Sequence, residues 1–257
     1  MMKQETKRKR VALVTGGAAG IGWGISQALA ADGLHVVILD KSDQVQTRVK
    51  ELNERGGAAE GATVDLMDLQ QVQSSIDWLR ANHGWVDVLV NNAGGHPRRP
   101  DGGKYDLAEL PLEVWEATFR LNLTVPFLLC KGLVPLMAEQ GWGRVINIAS
   151  RAARTAITRV GAHYPASKTG LVGLTRSVAA EFSPKGVTAN CIAPGRVVTA
   201  LELVTSEEER AEARREMLVG RPGTIDEIGA AASFLASEKA AFITGVVLDA
   251  NGGAFVG

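Results

Sequence analysis

The chain has 257 residues, 46% of them apolar, and its 28 basic residues balance 28 acidic ones. That length is enough to bury one sizeable α/β core. The balanced charge excludes a global field for nucleic acid or an anionic membrane.

The two cysteines, Cys130 and Cys191, fall outside any CxxC spacing, and read as small buried residues of a reducing, cytoplasmic compartment. Four scattered histidines without an HExxH pattern give no metal site. The first ten residues read as a solvated basic tail ending in Lys7-Arg8-Lys9-Arg10. The apolar run behind them superficially mimics a signal peptide. Six glycines between Gly16 and Gly33 break it, and no uninterrupted run of about 18 apolar residues is present to span a membrane.

Val11–Thr15 is a short β-branched run, and Gly20–Ala31 has helical spacing. His35–Asp40 is a second strand. Ser42 is placed to cap a helix to about Arg55 by accepting from free first-turn amides. Ala58–Val64 is a third strand, and Asp68 caps a helix to about Asn82. Val86–Val90 is apolar throughout, as a doubly covered parallel strand should be. Gly94–Gly103 is a polar loop. A long helix follows from Leu112 to Glu139, with a bend expected at Pro126 or Pro135. Arg144–Ala149 is the fifth strand, His163–Phe182 a helix and Val187–Ile192 the sixth strand. Ser206–Val219 is a charged amphipathic helix, Thr224–Leu235 another helix, and Val246–Asp249 the seventh strand. This alternation predicts one α/β domain over residues 1–257: a doubly wound, Rossmann-type parallel seven-stranded sheet with helices on both faces. Ligands bind such sheets at the carboxyl ends of the strands. That edge gathers Thr15, Asp40, Asp65, Asn91, Ser150 and Pro194.

Thr15-Gly16-Gly17-Ala18-Ala19-Gly20-Ile21-Gly22 joins the first strand to the first helix. Glycines there let a pyrophosphate approach the helix N-terminus, where free amides favour anions. Asp40 lies twenty residues beyond Gly20, at the end of the second strand. Its carboxylate can accept both hydroxyls of an adenosine ribose and would repel a 2′-phosphate. At about 4 Å and an effective dielectric near 20 that repulsion is roughly 4 kcal/mol, about a thousandfold. NAD is therefore expected over NADP, with Lys41 softening the discrimination.

TGGAAGIG is similar to the TGxxxGxG signature of the short-chain dehydrogenase/reductase family in its roughly 250-residue form, and the likeness covers nearly the whole chain. Asp65, followed by Leu66, resembles the family's adenine-binding acid. Asn91-Asn92-Ala93-Gly94 matches its NNAG motif. By that resemblance Asn92, Ala93 and Gly94 support the sheet and line the cofactor. Pro194-Gly195-Arg196-Val197-Val198-Thr199 resembles the PG motif, in which the Val197 backbone and Thr199 would hold the nicotinamide carboxamide.

Tyr164 and Lys168 are four apart on a predicted helix and so share a face. A tyrosine of reference pKa near 10 is a poor base at neutral pH. An ammonium at about 4 Å could favour the phenolate by up to roughly three pK units. With Ser150 at the end of the fifth strand and Asn122 in RLNL, the set resembles the family's Asn, Ser and YxxxK group. The resemblance implies that Ser150 donates to the substrate oxygen and Tyr164 exchanges the hydroxyl proton. Lys168 would lower the Tyr164 pKa and hold the nicotinamide ribose, and Asn122 would position a water linking Lys168 to solvent.

Substrate contacts are expected from His96, Arg151, Arg154 and Arg196, with Arg98, Arg99 and Arg159 nearby. Several cations at one mouth suit an anionic small molecule. Solvated surface charge or subunit salt bridges account for the same residues. His163 reads as structural, and Tyr105, Trp115 and Trp142 as packing residues. A substrate loop and mobile lid are expected within residues 195–220. The family resemblance implies a homotetramer, packed through the long helix and the helix from His163.

The reading is an NAD-dependent oxidoreductase moving a hydride between nicotinamide and a secondary alcohol or ketone. The alternatives are an NADPH-dependent 3-oxoacyl-thioester reductase and a scaffold that has lost catalysis. The scaffold reading predicts decay of the catalytic group, yet all four members are present. Enoyl reductases of the family space Tyr and Lys further apart than YxxxK, and the related epimerases carry TGxxGxxG.

Overall fold

A computed structural model describes residues 8–199, 211 and 214–257. Seven parallel strands form one sheet in the order β3-β2-β1-β4-β5-β6-β9. They are β1 (Val11–Thr15), β2 (His35–Asp40), β3 (Ala58–Thr63), β4 (Val88–Asn91), β5 (Gly143–Ile148), β6 (Val187–Pro194) and β9 (Val247–Ala250). The expected strands are all present, with ends shifted by one or two residues. A second sheet, absent from the sequence reading, pairs β7 (Val197–Val198) with β8 (Gly223–Thr224). Two-residue strands are too short to leave a periodic signal.

Alternate residues of the central strands feed opposite faces. Ala12, Val14, Val36 and Ile38 pack with α1 (Gly20–Ala31), α2 (Val45–Glu54) and α7 (Ile225–Ala236). Val11, Leu13, Val37 and Leu39 pack with α3 (Leu69–His83), α5 (Val125–Glu139) and α6 (His163–Phe182). The order reverses between β1 and β4, so the strand ends part there and open a crevice.

Three local expectations are corrected. The Ser42 hydroxyl accepts from the Gln44 amide at 3.2 Å, but α2 starts only at Val45 and its N-cap, Gln44, makes no side-chain cap. The Asp68 cap is present, accepting from Gln70 N at 2.9 Å. The long helix is broken at neither proline. A π turn, Arg120–Thr124, separates α4 (Leu112–Phe119) from α5. Pro126 directly follows the π turn, and because Thr124 and Val125 are already helical its missing amide leaves a carbonyl of that turn without its helical donor. Leu112–Glu139 is long and apolar enough to cross a membrane by length and composition. Its stripe Val125, Leu129, Leu133 and Met137 is fully buried against the sheet, which accounts for that hydropathy. The basic tail is not simply solvated. Arg8 pairs with Asp87 at 2.8 Å and lies over Trp85, and Arg10 pairs with Glu238 and lies over Trp142. The planar guanidinium gains from both the carboxylate and the ring face.

α1 and α7 cross at backbone contact. A Cβ on Gly24 would lie 2.4 Å from the Ile225 carbonyl oxygen, and one on Gly229 2.6 Å from the Gly24 carbonyl oxygen. α7 is started by a capping box, with Thr224 Oγ1 accepting from Glu227 N and the Glu227 carboxylate accepting from Thr224 N. Because α1 carries the glycine loop at its N-terminus, this contact sets where that loop sits. Gly229→Ala should destabilise the fold by about 1–3 kcal/mol through overpacking. A lower urea midpoint at unchanged slope is the expected reading.

Candidate active site

The crevice is a cavity of about 810 Å³ at the carboxyl edge of the sheet. Of the expected cofactor residues, Gly16, Ile21, Gly22, Asp40, Asp65, Leu66, Asn92, Ala93, Gly94, Tyr164, Lys168, Pro194, Gly195 and Thr199 line it. Gly20 and Val197 do not. Gly20 lies under Thr199, whose Cγ2 would be 3.5 Å from a Cβ there. Val197 is buried in β7.

The glycine loop is shaped by close backbone approach. Gly16 has φ +63°, and a Cβ on Gly22 would stand 2.0 Å from the Gly16 carbonyl oxygen. No other residue type fits at Gly22, so the α1 amides face the cavity unobstructed. Asn92 stitches the loop to β4. Its Nδ2 donates to the Thr15 and Gly16 carbonyls at 2.9 and 3.0 Å, and its backbone amide donates to Thr15 Oγ1 at 3.0 Å. Asp40 accepts from Ala18 N and Ser42 N, both at 3.0 Å, so its carboxylate is clamped between the glycine loop and the turn after β2. Asp65 is exposed at the rim and accepts from Met67 N at 2.9 Å.

Ser150, Tyr164 and Lys168 meet on the other wall of the cavity. Ser150 leaves β5 extended and caps the short turn Arg151–Ala153, accepting from Ala152 N at 3.1 Å. Tyr164 lies in the first turn of α6, next to Pro165, on the same cavity wall as Ser150. Lys168, one turn on, is 3% exposed and donates from Nζ to the Ile148 carbonyl at 2.7 Å. Burial lowers its pKa to about 8, against a raising influence from Cys191. The expected effect on Tyr164 is not found. Burial pushes the phenol above its ordinary value, and Ser150, not Lys168, offsets it. The lysine instead donates to the Ile148 carbonyl.

Asn122 is fully buried in the π turn. Its Oδ1 accepts from Gly95 N at 3.0 Å, while its Nδ2 donates to the Gly95 carbonyl and to Ser167 Oγ, both at 2.9 Å. This side chain is saturated by protein, so it locks the segment after NNAG. A Cβ on Gly94 would be 2.8 Å from Asn122 Oδ1 and 2.9 Å from Lys168 Nζ, which places the three groups in contact range.

Of the four expected substrate residues, only His96 lines the cavity. Its ring centroid is 4.8 Å from that of Tyr164, and its buried Nε2 has no hydrogen-bond partner. Burial, followed by the charges of Arg98 and His163, lowers its pKa, so it is neutral at pH 7. Arg151 pairs with Glu216 at 3.0 Å and Arg154 with Asp249 at 3.2 Å. Arg196 occupies the turn between β6 and β7, where its carbonyl accepts from Gly223 N at 2.9 Å. For Arg151 and Arg154 these ion pairs agree with the alternative reading of the charges as salt bridges. His163 is buried beneath the edge of Tyr105, in keeping with a structural role. Half of the expected 195–220 loop and lid, and half of the Ser206–Val219 helix, lie outside the described residues.

Sequence reasoning missed the polar ladder behind the site. Asn91 Nδ2 donates to Asn147 Oδ1 at 2.7 Å, Asn147 Nδ2 to Thr175 Oγ1 at 2.7 Å, and Thr175 Oγ1 sits 3.0 Å from Cys191 Sγ. The available signal was an asparagine in each of two otherwise apolar strands, which parallel register sets side by side.

The family model described as enoyl-(acyl carrier protein) reductase matches residues 16–254. D-threitol dehydrogenase of Mycolicibacterium smegmatis is 38% identical over 246 residues, 95% of this chain and 92% of that protein. The 3-oxoacyl-[acyl-carrier-protein] reductase FabG of Aquifex aeolicus is 34% identical, over 96% of this chain and 97% of the relative. A 3-oxoacyl-[acyl-carrier protein] reductase from Brucella melitensis, solved with bound NAD, superposes with TM-score 0.89 at 32% identity, covering 98% of this chain and 93% of that one.

The depressed lysine makes a signed prediction. An unfolded Lys168 keeps its proton to about pH 10.4, whereas the folded one releases it near 8. Between those values the unfolded state binds more protons, so wild-type stability rises with pH. Relative to Lys168→Met, which has no such group, the wild type should gain stability from pH 8 to pH 10. Urea unfolding at both values measures it.

Proposed function

We propose that this chain, which belongs to the short-chain dehydrogenase/reductase family, oxidises the secondary alcohol of an uncharged small polyol with NAD, or runs the reverse reduction. The observation that carries the proposal is one cavity holding both the glycine cradle and the Ser150–Tyr164–Lys168 group.

The cradle fits a dinucleotide. The missing Cβ atoms of Gly16 and Gly22 leave α1's amides open to a pyrophosphate, and Asp40 stands where a ribose would lie. Asp40 already accepts two backbone bonds, and a carboxylate has about four acceptor sites, so capacity remains for two hydroxyls. Bound nicotinamide would supply the hydride acceptor or donor. Ser150 would donate to the substrate oxygen and stabilise its developing charge. Tyr164, beside Ser150, would give its proton to the substrate oxygen in reduction and, as the phenolate, take it back in oxidation. Lys168, with a pKa of about 8, is poised to pass that proton onward. Asn122 would act on the chemistry by fixing Gly95 and so the wall facing Lys168.

The uncharged substrate follows from the neutral His96 beside Tyr164 and from the ion pairs that engage Arg151 and Arg154. The similarity to a threitol dehydrogenase supports the same class. A second reading, reduction of a 3-oxoacyl thioester, rests on the similarity to the Aquifex reductase. Ser150 and Tyr164 aim hydroxyls at an oxygen, which suits a carbonyl better than an olefin. Two buried free thiols fit a reducing cytoplasm. Exposed Leu112 and Phe127, on α4 and α5, support assembly of a homotetramer through those helices.

Tyr164→Phe should lower turnover by about 10²–10⁴-fold, the span of acid–base catalysis, while nucleotide binding persists. Undiminished turnover would sink the mechanism. Wild type should prefer NAD⁺ to NADP⁺ in kcat/KM, and Asp40→Asn should move that ratio toward NADP⁺ by up to about a thousandfold. A polyol panel run beside hydroxy acids and 3-oxoacyl thioesters separates the two substrate readings.

A further inference from the structure

At the opposite edge of the sheet, two of the four histidines converge on one carboxylate. His35 Nε2 lies 2.7 Å from Glu60 Oε1, and His83 Nε2 lies 2.8 Å from the same oxygen. One ligand atom from each of the three residues falls within 4.8 Å of the others. The fold explains the meeting. His35 opens β2 opposite Ala58 of β3, and Glu60 is two residues further along β3, hence on the same face. His83 ends α3, which covers that face. All three ligands thus stand on regular elements that are packed into the core.

Two features go beyond a hydrogen-bonded cluster. His83 Nε2 is buried, and its approach to Glu60 is short but too poorly aligned to satisfy it as a hydrogen bond. A buried imidazole nitrogen left in that condition is costly unless another partner meets it. The imidazole rings stand 5.4 Å apart at 53°, so their Nε2 atoms reach one point from different directions, as coordination requires. The side chains are 14–35% exposed, and His35 and His83 border a cavity of about 260 Å³, which leaves an entry path and room for water ligands.

We propose that His35, Glu60 and His83 form a binding site for a divalent first-row transition metal of the Zn²⁺ class, remote from the catalytic cavity. Two imidazoles and one carboxylate with an open fourth position is a donor set zinc accepts. Metal bonds of about 2.0–2.2 Å in a tetrahedral set hold ligand atoms about 3.4 Å apart. A small rotation of the Glu60 carboxylate, at the partly exposed end of its side chain, widens the present contacts to that spacing. Arg8 and Lys9 border the same cavity, and Arg8 is neutralised by Asp87. The bound ion would tie the end of α3 to the β2–β3 pair.

The test uses untagged, full-length, chelator-stripped protein titrated with Zn²⁺ by calorimetry at pH 7.5. One ion per chain is expected. Glu60→Gln, which keeps the size of the side chain, and His83→Gln should each weaken binding at least tenfold. Zn²⁺ should raise the melting temperature of the wild type and not of either variant. Co²⁺ should give the intense visible absorption of a four-coordinate site, lost in Glu60→Gln. His96→Ala should leave the Zn²⁺ isotherm unchanged, which separates this site from the catalytic cavity. No stoichiometric binding, binding indifferent to both Gln variants, or binding lost in His96→Ala overturns the assignment.

Discussion

The site depends on a buried ammonium held by one carbonyl. Lys168 Nζ donates to Ile148 at 2.7 Å, at the point where β5 gives way to Ser150. Burying a cation is unfavourable unless it is hydrogen-bonded, and the lowered pKa of Lys168 is the measure of that strain. The contact joins α6 to the sheet at the level of the reacting groups. Ser150, from the end of β5, and Tyr164, from α6, are thereby brought to one wall of the cavity. Gly94 contributes by absence, since a Cβ there would stand 2.9 Å from Nζ.

The same logic of close approach governs the other half of the cavity. Gly16 and Gly22 let the loop fold against itself, and Asn92 fills the hydrogen-bonding needs of the carbonyls that this folding exposes. Asn122 does the equivalent for Gly95. Asn92 does this with its amide NH₂ alone, whereas Asn122 uses both the acceptor and the donor of its planar amide. The cavity walls are therefore rigid on both sides before any ligand arrives, and ordering them adds little to the cost of binding.

The strand–helix alternation was legible because central strands are apolar throughout and the helices carry caps such as Asp68. The meeting of Ser150, Tyr164 and Lys168 at one cavity was legible because Tyr164 and Lys168 share a helix face and Ser150 ends a strand. Three things were not. The π turn that carries Asn122 has the same composition as the helices on either side, so no local signal separates it. The Asn91–Asn147–Thr175 ladder arises from strand register and helix packing, which no linear spacing encodes. The His35–Glu60–His83 cluster unites residues up to 48 apart in the chain, and each alone reads as ordinary partly exposed surface.

The direction of the Tyr164 shift and the fate of the arginines follow from one oversight of sequence reasoning. Counting charges near a site assumes that each charge is available to it. Lys168 is adjacent to Tyr164 by helical spacing, yet its Nζ donates to Ile148 and the shift of the phenol is set by burial and Ser150. Arg151 and Arg154 follow Ser150 closely in sequence, yet Glu216 and Asp249 engage them. An ion pair presents a dipole where a lone guanidinium would present a full charge, and a dipole's field falls away faster with distance. On the proposed function, discrimination at the substrate end of the cavity would rest on neutral groups at short range, the hydroxyls of Ser150 and Tyr164 and the imidazole of His96. Such groups reject a substrate chiefly by leaving a buried polar atom unpaired, which favours ligands that carry a hydroxyl at each of those positions.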